Sequence, residues 1–236
     1  MEPQLLIDVF FASLALGLCL DLAFPLRDLA LSRWIRWTGN GLLHVINGVI
    51  TALIVPGGLL ALAYWAEPRQ WGALHPLDLP LWLEVVAGVL LMDLTTYGLH
   101  RASHRFPFLW RLHRLHHTDI DVDVTTDLRH HPLERILVLV VGALVIVLAG
   151  IGPLGVFVYS LLAIPVSVLS HGNWLLPTGM DRWLRLVLVT PGMHRIHHSA
   201  RQPETDSNYG VLFSFWDRLF HSYCEAPEHG YRGMTL

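Results

Sequence analysis

Residues 113–117 read HRLHH and residues 194–198 read HRIHH. On a helix, positions i, i+3 and i+4 share a face. His113, His116 and His117 are therefore expected to point one way, and His194, His197 and His198 likewise. His100 and His104, in HRASH, form a third helical pair. Neutral imidazole is a good ligand for iron, zinc, copper and nickel, and one transition-metal ion takes about four to six ligands. Eight imidazoles exceed the needs of one ion and suit two. His171, in SHGNW, is a ninth candidate ligand. His131, in RHHPLE, is a tenth, preferred over His130. Three clusters with helical spacing argue against accident. His44, His75, His221 and His229 stand singly and read as ordinary hydrogen-bonded histidines.

Other chemistries lack their residues. There is no HExxH, no P-loop, no GxGxxG and no GxSxG nucleophile elbow. Two cysteines, Cys19 and Cys224, form no motif, which excludes a cysteine-ligated zinc or iron–sulfur site. The formal net charge of −3 gives no support to nucleic-acid binding.

The elements that must position these histidines are membrane helices. The chain is 53% hydrophobic and 15% charged, against about 25% charged in a soluble domain. All 16 basic residues are arginine, which fits GC-rich coding DNA and a bacterial source. Apolar segments near 4–25, 41–65 and 80–100 are each long enough to span a bilayer. The first lacks a basic leader and reads as a retained helix. A longer apolar block at 134–170 is broken by GIGP at 150–153 and reads as a hairpin of two helices. The expectation is one all-α integral membrane domain over 1–236, with four to five transmembrane helices and a cytosolic, histidine-rich helical cap.

Arginines favour the cytoplasmic ends of spans. Arg27, Arg33 and Arg36 follow the first span, and Arg101, Arg105, Arg111, Arg114 and Arg129 follow the third. The hairpin returns the chain to the same face, so residues 100–131 and 171–198 meet there. That is the cytoplasmic side of a bacterial inner membrane. On the third span, Asp93, Tyr97, His100 and His104 form one stripe. An aspartate inside a span usually faces a partner or polar cavity. Asp93 is expected either to serve a ligand on a neighbouring helix or to bond Thr95, Thr96 or neighbouring backbone.

DLTTYGLHRASH, HRLHH, RHHPLE, SHGNW, HRIHH and SNYGVLFSFWDRLF together resemble the membrane fatty acid hydroxylase and sterol desaturase superfamily. The pattern is nearest the short bacterial sterol desaturase family proteins and their alkylglycerol-monooxygenase-like relatives. It covers about residues 80–222, the catalytic core. The resemblance implies a non-haem diiron enzyme that uses O₂ and two external electrons to hydroxylate, desaturate or oxidatively cleave a membrane lipid. It implies His100 and His104 as the first histidine box, His113, His116 and His117 as the second, and His194, His197 and His198 as the last. His171 resembles the additional histidine between boxes, and His131 one often counted with the site. Zinc is a substitute for the two irons. A cytochrome b5-like domain does not fit this length, so electrons would come from a separate protein. Asp93, Tyr97 and Asn208 are expected behind the ligands, with Tyr209 bracing the third box beside Asn208. Asp217 and Arg218 are expected as a structural ion pair. Where the family reads WDRLFGT this chain has WDRLFHS, placing His221 at the glycine and the geometry of that turn in doubt. The alternatives are a membrane metal carrier and a structural descendant with an inert zinc site.

Overall fold

The computed structural model describes residues 3–236. It is all-helical; among the described residues the extended pairing is one isolated bridge, Leu188 to Phe213. The membrane-length helices are α1 (Pro3–Ala23), α2 (Arg33–Ile54) running on into α3 (Gly58–Ala66), α4 (Leu81–Arg105), α6 (Pro132–Ala149) and α7 (Pro153–Ser170). Among the described residues, five segments are thus long and apolar enough to cross a membrane. Between α4 and α6 lies α5 (Pro107–His117). After α7 come α8 (Thr178–Leu184), α9 (Pro191–His197), α10 (Gln202–Thr205), α11 (Phe215–Leu219) and α12 (Gly230–Gly233).

Two expected boundaries differ. The second span begins at Arg33 rather than near 41, and it breaks at VPGG, where Gly57 takes φ +79° at the start of α3. The third span does not end near 100. It continues helically to Arg105, so His100 and His104 belong to its last turns.

Prolines place the turns. A residue before proline is pushed out of the α region, while proline at the first helical position is well tolerated. Phe106 is extended ahead of Pro107, which ends α4 and starts α5 at once. His131 is extended ahead of Pro132 and starts α6. Pro153 and Pro191 open α7 and α9 in the same way. Gly150 closes α6 in the left-handed conformation, φ +75°, where a Cβ would be strained. This turn makes the hairpin of α6 and α7.

α7 packs against both α1 and α4. The α4 contact is close because small residues meet: a Cβ on Gly88 would come within 3.3 Å of Gly155 Cα and 2.8 Å of Ile151 Cγ2. Close backbone approach through small residues is how helices associate where lipid supplies no hydrophobic drive. α2 is two-faced. Leu42, Val45, Val49 and Leu53 are exposed, whereas Arg36, Asn40 and Asn47 are buried. The polar face of this helix is the inner one.

The segment after α5 explains part of that inversion. Asp119, Asp121 and Asp123 alternate along it. Arg36 meets Asp119 bidentately, at 3.0 and 2.8 Å, and Asp123 at 2.5 Å. Asp121 accepts from the N–H groups of Ala30 and Leu31. Asp21, on α1, accepts from Val124 N and Asn173 N. Arg36, which the charge rule treats as a loop arginine, is a buried tie between α2 and this segment. Burial pushes the Asp119 carboxyl up, but the Arg36 guanidinium more than reverses that and holds it below the ordinary range.

Candidate metal centre

Nine histidines converge at the end of the bundle where α4 finishes. His100 and His104 come from α4, and His113, His116 and His117 from α5. His171 follows α7, and His194, His197 and His198 come from α9 and its C-terminal cap. Their ligand atoms fall into two groups: His100, His104, His113, His117 and His197, and His116, His171, His194 and His198. Within each group the ligand atoms lie within 4.8 Å of one another.

The groups do not follow the sequence boxes. Each box was expected to present its three histidines together. Instead, His113 and His117 join the first group while His116 joins the second. In the later box the assignment is reversed: His194 and His198 join the second group and His197 the first. At about 100° per residue, i+4 lies about 40° to one side of i and i+3 about 60° to the other. Each helical turn therefore straddles both centres, and the two copies face each other in opposite sense.

Four outer nitrogens are held by acceptors, while Nδ1 of His116, His194 and His198 is buried without one. His100 Nδ1 meets the Tyr209 carbonyl at 2.8 Å, His171 Nδ1 the Ser167 carbonyl at 2.8 Å, and His197 Nδ1 the Ser207 carbonyl at 2.8 Å. His113 Nδ1 meets Glu134 Oε1 at 2.7 Å. A carbonyl or carboxylate only accepts, so in the neutral ring Nδ1 carries the hydrogen and Nε2 keeps its lone pair. Fixing the outer nitrogen in this way is characteristic of metal-bound histidine.

The inner nitrogens crowd together. Nε2–Nε2 separations are 3.1 Å for His113 and His117, 3.1 Å for His116 and His171, 2.8 Å for His171 and His194, and 3.2 Å for His194 and His198. Metal–nitrogen bonds of about 2.1 Å at right angles place neighbouring nitrogens about 3 Å apart, so these spacings fit ligand edges. His100 Nε2, His197 Nε2 and both nitrogens of His104 are buried without a hydrogen-bond partner. Burial first, then the charges of neighbouring histidines, lowers the pKa of His116, His117, His194, His197 and His198 well below the ordinary value. The rings are neutral near pH 7, as metal binding requires. The donor set fits two transition-metal ions.

Several expected residues sit elsewhere. His131 lies outside both groups; its Nδ1 accepts from Leu133 N as the N-cap of α6. Its extended backbone ahead of Pro132 makes it a capping residue. Its neighbour His130 is the one against the site, stacked on His116 at 4.7 Å with an interplanar angle of 7°. Asp93 reaches no histidine. It accepts from Leu212 N, Phe213 N and Trp216 Nε1, taking the neighbouring-backbone alternative. Tyr97 bonds Ser222 through its hydroxyl. Asn208 donates to the carbonyl of Met193, the residue before His194. The Tyr209 carbonyl holds His100, in the first box rather than the third. Asp217 forms no ion pair with Arg218. It accepts from Tyr209 N, Gly210 N and Ser222 Oγ, while Arg218 lies over the Tyr223 ring. His221 adopts φ +57°, so the turn keeps a conformation that glycine takes more readily.

Glu134 was not anticipated. Besides His113 it lies 3.3 Å from His130 Nδ1. The signal was present in HHPLE, where Glu134 stands at i+4 from His130. The backbone acceptors Ser167, Ser207 and Tyr209 left no residue-type signal.

A cavity of about 150 Å³ borders the site, lined by His100, His113, His116, His171, His194 and Glu134 among others. A larger one of about 820 Å³ runs between α1, α2, α4, α6 and α7. The two share wall residues, including Thr96, Leu99, His130 and Ser167.

The Fatty acid hydroxylase family model matches residues 85–222, more than half of the chain. The chain belongs to the fatty acid hydroxylase family. All nine clustered histidines of this family member fall inside the matched region. It is similar to ornithine lipid hydroxylase OlsE of Rhizobium tropici, 31% identical over 80% of this chain and 58% of that protein. It is also similar to human alkylglycerol monooxygenase, 27% identical over 68% of this chain and 34% of that protein. A rice very-long-chain aldehyde decarbonylase, GL1-5, is 26% identical over 82% and 30% respectively. The chain thus spans less than two thirds of the length of these relatives. No solved structure matches it.

Proposed function

We propose that this protein is an integral membrane oxidoreductase that oxidises a lipid chain with O₂ at a histidine-held diiron centre. The observation that carries the reading is the pair of imidazole groups, with four outer nitrogens fixed and inner lone pairs converging, next to a cavity between apolar helices. His100, His104, His113, His117 and His197 would hold one iron, and His116, His171, His194 and His198 the other. Two bound irons supply O₂ activation and the oxidising power to break an unactivated C–H bond. The chain's own part is to hold the nine rings in place, to keep water off the site, and to align an alkyl chain beside it. Glu134 orients His113, and the carbonyls of Ser167, Ser207 and Tyr209 orient His171, His197 and His100. Asn208 braces the turn that carries His194.

The relatives' names, an ornithine lipid hydroxylase and an alkylglycerol monooxygenase, support a polar-headed membrane lipid as substrate. The chain works as one membrane domain with its catalytic core at about 80–222. The site faces the cytoplasm at a bacterial inner membrane, where a separate electron-transfer protein delivers two electrons. Zinc can occupy the same nitrogens without supporting the reaction. A metal carrier needs ligands spread along a crossing path, whereas these gather at one end of the bundle.

The test is metal content together with lipid product in membranes supplied with O₂ and reductant. Two irons per chain and O₂-dependent product support the reading. Unchanged metal and product in His194→Ala or His113→Ala would sink the site assignment.

A further inference from the structure

The larger cavity is not purely apolar, and one polar residue in its wall stands out. The inner face of α2 carries Arg36, Asn40 and Asn47, all buried. The first two are fully engaged, Arg36 by Asp119 and Asp123, and Asn40 by Thr125 and Arg129. Asn47 is not. Its Nδ2 donates to the His130 carbonyl at 3.0 Å. A carbonyl only accepts, so that bond fixes which way the amide points. Its Oδ1 is buried without a hydrogen-bond partner, and the residue lines the cavity. A buried acceptor left unpaired costs free energy, and native proteins rarely leave one without a partner.

Asn47 is also close to the metal site. It bonds the backbone of His130, whose ring stacks on His116 of the second histidine group. On the far side, the same cavity is lined by Leu6, Ile7 and Leu60, suited to an alkyl chain. α2 lies outside the family-matched residues 85–222, so this acceptor is supplied by the part of the chain that the family model does not describe.

We propose that Asn47 is a substrate-positioning residue whose Oδ1 accepts a hydrogen bond from the lipid. The substrate is then a long-chain lipid bearing a hydroxyl or amide N–H near its polar end. That end lies towards the histidines and the tail runs along α1 and α3. The inference rests on the lipid-oxidation reading, but it concerns binding and is tested without turnover.

The full chain, in nanodiscs of phosphatidylcholine (which has no hydrogen-bond donor), is offered equal amounts of N-hexadecylacetamide and hexadecyl acetate. These probes differ only by N–H against O. Lipid retained by the protein is measured by mass spectrometry. The wild type is expected to retain the amide about tenfold over the ester, the scale of one satisfied buried acceptor. Asn47→Leu and Asn47→Ala should bring the ratio within twofold. A purely structural role would lower retention of both probes together and leave their ratio unchanged. A wild-type ratio within twofold overturns the proposal, as does full selection in both apolar variants. His194→Ala should retain selection while losing metal. Selection without any oxidised product would sink the function reading and leave this one standing.

Discussion

The protein buries two kinds of polar cluster, and they are finished differently. In the carboxylate ties every partner is present. Asp93 receives two backbone N–H groups and an indole N–H, and Asp119 receives a bidentate guanidinium plus Thr126. In the histidine centre even the outer side is only partly satisfied, with Nδ1 of His104, His116, His194 and His198 buried without a hydrogen-bond partner. Nδ1 atoms of four rings find acceptors, while inner nitrogens face one another or nothing. A cluster satisfied by the protein is architecture, and one left with many buried nitrogens unpartnered is prepared for something else. The difference also separates Asp93 and Asp217 from the chemistry. Both are buried acids near the site, yet both are spent on fixing the segment at 209–222.

The largest effect should come from breaking the histidine side. His194→Ala or His113→Ala is expected to lower lipid oxidation by more than the roughly 10–100-fold typical of an outer partner. Metal analysis should show iron lost, while the thermal midpoint of the metal-free protein changes little. On the carboxylate side the pattern should invert. Arg36→Met leaves Asp119 and Asp123 buried and unpaired and is expected to cost about 3–5 kcal/mol of stability. Its folded fraction should still bind metal, which unfolding and metal titrations together would check.

Glu134→Gln lies between the two classes. It keeps the shape but weakens the hold on His113, and should reduce metal affinity by about 10–100-fold, read by chelator competition. The acid sensitivity of the ties has a defined sign. Because the folded Asp119 carboxyl sits below its ordinary value of 3.8, its contribution is full above that pH. It is lost as pH falls through the lower folded value, and Asp119→Asn should flatten that part of a stability–pH curve. The smallest effect is at the turn after α11. His221→Gly removes a side chain from φ +57° and should raise stability by about 1 kcal/mol, visible as a small rise in thermal midpoint with activity unchanged.

Much of this was legible in the residues. The apolar segments gave the helix count, and Pro107, Pro132, Pro153 and Pro191 mark helix starts through rules that act on adjacent residues. Span parity brought the boxes together. What was not legible depended on contacts between distant segments. Asp93 has the same stripe position whether it serves a histidine or the Leu212–Phe213 backbone, and only packing of 209–222 against α4 selects the latter. His130 and His131 are adjacent, and their roles separated only when His131 became the cap of α6. Glu134 gained its role from the approach of α5 to α6.

The sequence by itself determined the supply of ligands: helical turns bearing histidines at i, i+3 and i+4, on apolar segments that return them to one end. That follows from the helical repeat and from hydrophobicity, both local. Only the tertiary structure decided the division into five and four. HRLHH and HRIHH have the same spacing, but α5 and α9 meet the centre from opposing sides. The i+3 histidine of each therefore joins the other's i and i+4 pair. Spacing fixes the angles between side chains on one helix, and the packing of two helices fixes which nitrogens share a centre.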